Sequence, residues 1–197
     1  MENQLSKPLA SEIANSAVSS GLRGAGMIVA GSALVAVCSH IALPLWFTPV
    51  PLTLQPFAVL LLGMLMGPRL AAATLGAYLL EGAAGLPVFA PGFALGAGMA
   101  HLMGPTGGYL MSYPAAAALV SWLRARLDRG FAGAALSAAA GDALILLCGF
   151  VWLATWTHAA IGSAFALAVL PFLPGEALKV AAAAGIARGL NRIRRQS

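Results

Sequence analysis

Lysine and arginine lie at alternate boundaries between the apolar segments of this chain, with one exception, and this spacing strongly constrains its fold. A membrane-spanning helix needs about 20 mainly apolar residues, and fewer where protein covers its ends. The sequence predicts six spans, at residues 24–44, 54–67, 69–85, 105–123, 131–154 and 164–188. Because lysine and arginine concentrate in cytoplasmic loops, we expect both termini to be cytoplasmic. The basic residues on that side are then Lys7, Arg23, Arg69, Arg124, Arg126, Arg129, Arg188, Arg192, Arg194 and Arg195.

The composition excludes an ordinary soluble domain. Hydrophobic residues make up 60% of the chain and charged residues 9%, whereas a soluble domain carries about 25% charged residues. The membrane topology explains the net charge of +5, which therefore does not indicate nucleic-acid binding. We predict an all-α protein of the cell inner (plasma) membrane, embedded in the lipid bilayer. Its six-helix domain covers 24–190, between a cytoplasmic N-terminal tail or surface helix at 1–23 and a basic cytoplasmic tail at 191–197.

The predicted outer connections are apolar and rich in glycine and proline, unlike ordinary polar loops. One runs over Leu43–Gln55 and another over Gly85–Gly108. Irregular backbone at membrane depth is tolerated only where protein covers it or where it lines a cavity. We therefore predict a small-molecule pocket at the extracytoplasmic face, with these loops as its floor or lid.

The exception to the charge distribution is Lys179, which lies inside the last apolar segment, three residues after Glu176. Residues three apart share one face of a helix. Lys179 precedes Arg188 by roughly 13 Å of helix, too deep to reach the interface easily. A charge at such depth is costly and is usually paired and functional. A structural ion pair is one interpretation; the favoured one is a ligand site offering one acceptor and one donor.

Other polar or small residues near the outer face are weaker candidates for the substrate site. Thr53 and Gln55 end an apolar loop, where they either cap a helix or bind a ligand. Gly107, Gly108 and Tyr109 open the fourth span; they form either a tight turn with an interfacial tyrosine or a ligand-contacting backbone. In the fifth span, Asp142 either bonds a neighbouring helix or lines the pocket.

Several classes of chemistry lack the residues that they require. The chain contains no Gly-Lys dipeptide, which excludes a phosphate-binding loop of the G-x-x-x-x-G-K-[ST] type. No nucleophile–base pair is visible, so we expect neither an enzyme nor a bound cofactor. The three histidines are scattered in sequence, and we expect no metal site from His40, His101 and His158.

Five motifs, taken together and in this order, resemble the BioY family, whose members are the biotin-binding S components of energy-coupling factor transporters. The motifs are Thr48–Gln55, Gly85–Phe89, Gly104–Tyr109, Trp152–Ala154 and Pro171–Lys179. The resemblance implies biotin uptake through six helices with an outward pocket. It also implies partners, a membrane coupling subunit and two ATP-hydrolysing subunits, in agreement with the missing phosphate-binding loop.

The resemblance also implies roles for particular residues. Glu176 and Lys179 would contact the biotin head group, with Gln55 and Tyr109 in or beside the pocket. The chain departs from the family at two places. Glutamate stands where many relatives have aspartate, and Ala90–Gly98 contains no counterpart of the asparagine that some relatives carry in this loop. A rival hypothesis is a self-sufficient channel or secondary transporter for a small solute, with the buried pair as a proton or ion relay.

Overall fold

The chain folds into a bundle of helices with one short hairpin. The computed structural model describes residues 6–91, 98–128 and 130–193. Its elements, in chain order, are α1 Ser6–His40, β1 Ala42–Leu43, β2 Leu52–Thr53, α2 Gln55–Leu65, α3 Pro68–Ala83, α4 Met99–Leu102, α5 Gly107–Arg126, α6 Phe131–Thr157, α7 Ile161–Ala168 and α8 Leu173–Ile193. The predicted helical class is therefore confirmed, although the described residues form eight helices and not six.

Five of the predicted spans correspond to single helices, namely α1, α2, α3, α5 and α6. Proline stands in the first turn of both α2 and α3, where its missing N–H costs no hydrogen bond. The first helix begins at Ser6, well before the predicted span at 24–44, so the predicted N-terminal tail continues into the span as one helix from that residue onward.

The sixth predicted span, 164–188, is wrong as a single helix. The chain forms α7 and α8, whose axes differ in direction by 47°. Pro171 and Pro174 cannot donate backbone hydrogen bonds, and the chain turns between the two helices through bonds from Val169 N to Phe165 O at 3.0 Å and from Phe172 N to Val169 O at 3.0 Å. The break lies at the same end of the bundle as the hairpin that follows α1.

Up to three stretches of the described residues are candidates to cross a membrane. Among the described residues, Ser19–His40 and Phe131–Thr157 are long and apolar enough to cross a membrane, and the bent pair α7–α8 makes a third. The other predicted spans form helices that are shorter or less apolar, and α2 has only 11 residues. The structure thus shows a mostly helical membrane protein, while six crossings remain a prediction.

A two-stranded antiparallel hairpin, absent from the predicted all-α architecture, occupies the first outer loop. Ala42 pairs with Thr53 and Leu43 with Leu52. Its connection reaches across the bundle, because Thr48 Oγ1 donates to the carbonyl oxygen of Leu167 at 3.0 Å. This proline-rich segment therefore connects the end of α1 to α7.

Helix α5 lies at the centre of the bundle and contacts α2, α3 and α6. Small residues line these contacts and are fully buried, among them Ala116, Ala117, Ala134 and Ala138. Without a hydrophobic drive in lipid, membrane helices associate through such close contacts. The close fit of these small residues therefore helps to hold the helices together.

Hydrogen bonds join the helix ends at the side opposite the hairpin. Ser121 Oγ of α5 donates to the carbonyl oxygen of Met66, between α2 and α3, at 2.6 Å. Asp128 Oδ1 accepts from the backbone N–H groups of Gly130 and Gly133, both at 3.0 Å, at the start of α6. The guanidinium carbon Cζ of Arg126 lies 4.0 Å from the centroid of the Trp122 ring. Through these contacts, the C-terminal ends of α2 and α5 and the N-terminal end of α6 lie together at one end of the bundle.

A tryptophan hydrogen bond at the outer end gives the first testable prediction. Trp152 Nε1 of α6 donates to the carbonyl oxygen of Gly104 at 2.7 Å. Trp152→Phe keeps an aromatic ring but leaves this carbonyl unpaired, so we expect a loss of about 0.5–1.5 kcal/mol in the free energy of unfolding. Denaturation of the purified protein in detergent measures it. Trp156→Phe, at an exposed ring, is the control; equal losses in both variants would contradict the prediction.

Candidate functional site

A cavity of about 40 Å³ lies beneath the hairpin at one end of the bundle and opens to solvent. Its wall combines the hairpin with α2, α5, α6 and α8. Four of the predicted substrate-site residues line it, namely Thr53, Gln55, Tyr109 and Glu176. The remaining wall is largely apolar and includes Val50, Leu110, Ile145, Leu146 and Phe172. A concave apolar wall with few polar groups is typical of a small-molecule site.

The predicted ion pair is present and buried. Lys179 Nζ lies 2.6 Å from Glu176 Oε1, and the two residues are 7% and 4% exposed. Glu176 stands in the first turn of α8, where the positive end of the helix dipole favours an anion. The second carboxylate oxygen, Glu176 Oε2, is buried and has no hydrogen-bond partner among the described residues. Lys179 is not part of the cavity wall, so the pair presents its carboxylate to the cavity.

Asp142 lies behind this pair, on the facing helix α6. It is 6% exposed and is not among the residues that line the cavity. Its side chain lies within hydrogen-bonding range of Glu176, and it interacts electrostatically with Lys179. Of the two predicted roles, the structure places Asp142 in contact with a neighbouring helix.

Gln55 is held in place by a chain of hydrogen bonds. Its Nε2 donates to the Tyr78 hydroxyl at 2.5 Å, and that hydroxyl donates to the carbonyl oxygen of Val88 at 2.9 Å. Thr53 Oγ1 donates to Gln55 Oε1 at 3.2 Å. Both residues therefore line the cavity with side chains that already have protein partners, which fixes their orientation.

Gly107 and Gly108 lie beside the cavity but not in its wall. A Cβ on Gly107 would stand 1.9 Å from the carbonyl oxygen of Leu102, and one on Gly108 would stand 2.2 Å from Trp152 Cβ. Both glycines thus allow α5 to begin in close contact with α4 and α6. The sequence suggested that the backbone of these glycines approaches a ligand. In the structure it closely approaches other parts of the protein.

Tyr109 joins the cavity wall to the break in the last helix pair. Its hydroxyl donates to the carbonyl oxygen of Ala168, the last residue of α7, at 2.7 Å. Its ring lies 6.3 Å from that of Phe172, centroid to centroid. The ring thereby presents an apolar face to the cavity while its polar end satisfies a carbonyl that the break leaves free.

Among the polar side chains of the wall, sequence reasoning missed Thr106, His101 and Tyr113. Thr106 Oγ1 is buried without a partner among the described residues. His101 stacks on Phe89, with the ring centroids 5.0 Å apart, and burial lowers its pKa. The only available signal for Thr106 was its place inside the Gly104–Tyr109 motif. Within the described ranges, no group of three or more His, Cys, Asp or Glu side chains is arranged to hold a metal ion.

Comparison with known proteins identifies the family. The model of the BioY family matches residues 9–196, nearly the whole chain. This chain belongs to the BioY family. Among curated BioY proteins, the "Probable biotin transporter BioY" of Pyrococcus horikoshii is 40% identical over 72% of this chain and 81% of its own length. The "Biotin transporter BioY" of Thermotoga maritima is 37% identical over 82% of this chain and 92% of its own length.

A solved structure shows that the BioY fold is shared as well. The crystal structure of the S-component for biotin from an ECF-type ABC transporter superposes with a TM-score of 0.79, covering 88% of this chain and 93% of that one. The sequences are 23% identical, so this likeness bears on the fold alone. The overall helical fold is thus shared with that S component.

Proposed function

We propose that this chain is the substrate-binding membrane subunit for biotin uptake, an S component that captures biotin from the outer face. The observation that carries the proposal is the buried carboxylate of Glu176, which meets an outward-opening cavity with one oxygen unpartnered among the described residues. A buried acceptor without a donor is costly, and a ligand N–H group would satisfy it. The relatives named as biotin transporters support the choice of ligand.

The chemistry of biotin suits this wall. Its ureido ring carries two N–H donors and one carbonyl, and charge-assisted hydrogen bonds to a carboxylate are about twice as strong as neutral ones. In the proposed complex Glu176 accepts from the ureido N–H groups. Lys179 holds the carboxylate ionised and oriented through its 2.6 Å bond. The thiophane ring and valeryl chain pack against apolar residues such as Phe172 and Leu146.

The membrane orientation and the partner subunits follow from the charge distribution and from the family. Both termini are cytoplasmic, with six crossings and the cavity outside, because the basic residues then lie on the cytoplasmic side. The chain works with a membrane coupling subunit and two ATP-hydrolysing subunits, since it has no phosphate-binding loop of its own. It acts as a transporter and not as an enzyme.

The direct test is biotin binding by the purified protein in detergent. We expect labelled biotin to bind at one site and to co-purify, with mass spectrometry identifying it after denaturation. A different small molecule in that fraction, together with no biotin binding by protein freed of it, would refute the proposal. Uptake by proteoliposomes without ATP or partner subunits separates the rival hypothesis, because a self-sufficient transporter accumulates solute and a strict S component only binds it.

Thr106 gives a second prediction about the wall. Thr106→Val replaces an unpartnered buried hydroxyl with a methyl group, so the ligand-free protein should be as stable as the wild type or more so. If biotin bonds this hydroxyl, its affinity should fall by about 0.5–1.5 kcal/mol. Thermal unfolding and biotin titration measure the two effects. Thr53→Val removes a hydroxyl that already bonds Gln55 and should instead reduce stability; unchanged affinity in Thr106→Val would remove this residue from the site.

A further inference from the structure

Two carboxyl groups and one ammonium group form a buried cluster at the contact between α6 and α8. We call Asp142, Glu176 and Lys179 the buried triad; their exposed fractions are 6%, 4% and 7%. Lys179 Nζ satisfies Glu176 Oε1 at 2.6 Å. Asp142 and Glu176 come from different helices and face each other within hydrogen-bonding range. The proposed biotin contact uses only Glu176 and Lys179, and it leaves Asp142 unexplained.

The hydrogen bonds of the triad do not balance if both carboxyl groups are ionised. Asp142 Oδ1 and Glu176 Oε2 are both buried, and the described part of the chain supplies neither with a donor. An ionised carboxyl group only accepts hydrogen bonds, whereas a protonated one also donates. Two facing carboxyl groups therefore bond each other only if a proton lies between them.

The net charge of the triad also favours a proton shared between the two carboxyl groups. With both carboxyl groups ionised, the triad carries a net charge of −1; with one shared proton it is neutral. A lone charge at membrane depth is costly, and two carboxylates that share a site ionise together only with difficulty. The titratable side chains that interact with the triad come from α5, namely Tyr109 with Glu176 and Tyr113 with both Glu176 and Asp142. Phenols are neutral at pH 7, so they supply no compensating positive charge. Helices α2 and α7 contain no titratable residue.

We propose that Asp142 and Glu176 share one proton, so that Asp142 is a positioning residue that keeps the biotin site neutral. Asp142 donates to Glu176 and leaves that carboxylate ionised, held between a carboxylic acid and the Lys179 ammonium. A carboxylate has about four acceptor sites, so Glu176 can still accept from the ureido N–H groups of biotin. Biotin carries a carboxylate of its own, and a neutral site does not repel it. Loss of the shared proton at alkaline pH would make the triad negative and weaken binding. The effect on binding depends on the proposed biotin site; the shared proton itself does not.

Infrared spectroscopy tests the proton directly. In a detergent without carbonyl groups, the wild-type protein at neutral pH should show a carboxylic acid C=O band that shifts in D₂O. Asp142→Asn should abolish this band. Glu81→Gln is the matched control and should keep it, because Glu81 accepts from Ser32 Oγ at 2.9 Å, away from the triad. A wild-type spectrum without a carboxylic acid band would overturn the proposal, as would a band that persists in Asp142→Asn.

The pH dependence of biotin binding tests the consequence. As pH rises and the shared proton leaves, the triad gains one negative charge. The affinity of the wild type for biotin should then fall by about tenfold or more. Asp142→Asn keeps a donor toward Glu176 but cannot ionise, so it should still bind biotin and lose this fall. If biotin affinity falls equally with pH in Asp142→Asn, the titrating group is Lys179, and the proposed link between Asp142 and binding is wrong. If the wild type binds no biotin at any pH, the proposed function fails, whereas the infrared band still decides the shared proton.

Discussion

Replacing Lys179 with methionine should destabilise the ligand-free protein by about 3–5 kcal/mol, because the substitution leaves Glu176 buried without its counter-ion. The ammonium is 2.6 Å from the carboxylate, and methionine fills a similar volume without the charge. Biotin affinity should fall by about 2–5 kcal/mol in the same variant. Chemical denaturation in detergent and biotin titration measure the two losses separately.

The double variant Glu176→Gln with Lys179→Met distinguishes a binding role from a structural one. Both charges are absent, so most of the lost stability should return, since neutral replacements of a buried ion pair are often tolerated. Biotin affinity should stay low, because the ionised acceptor for the ureido N–H groups is missing. If the double variant bound biotin as tightly as the wild type, the pair would be purely structural and the ligand site would lie elsewhere.

Gly107→Ala should reduce the free energy of unfolding by about 1–3 kcal/mol or more, as expected for overpacking a close contact. The added Cβ would stand 1.9 Å from the carbonyl oxygen of Leu102, which is a backbone atom and cannot rotate away. Helix α5 would have to shift at its first turn, and Tyr109 would move with it. Biotin affinity should therefore fall together with stability.

Gly76→Ala in α3 is the matched control for this substitution. Outside the neighbouring backbone, no atom of the described residues lies within 4 Å of the place that the new Cβ would occupy. Alanine in a helix interior is favoured over glycine by about 0.5–1 kcal/mol, so we expect this control to be as stable as the wild type or slightly more stable. If Gly107→Ala kept full stability but lost biotin affinity, the glycine would act on the ligand, as the sequence suggested.

The parts of the site that could be predicted from sequence are local. Glu176 and Lys179 are three apart on one helix, so spacing alone placed them side by side, and the structure confirms the pair. Gln55 and Tyr109 were expected from the resemblance to BioY, and both line the cavity. Their role in binding biotin stays a prediction.

The parts that could not be predicted depend on contacts between distant segments. The hairpin is joined to α7 by Thr48 and Leu167, which are 119 residues apart. The space at Gly107 is filled by Leu102 and Trp152, and no sequence pattern shows whether a ligand or protein fills such a space. Hydropathy joins α7 to α8 as one segment; Pro171 and Pro174 indicated an interruption there, but not the 47° change of direction between the two helices.

The break between α7 and α8 affects how the protein is made. Helix α7 has 8 residues, or about 12 Å of helix, far less than the ~30 Å hydrocarbon core. Its terminal carbonyl, that of Ala168, accepts a hydrogen bond from the hydroxyl of Tyr109, on a helix synthesised earlier. We therefore expect the last segment to insert stably only once α5 is in place.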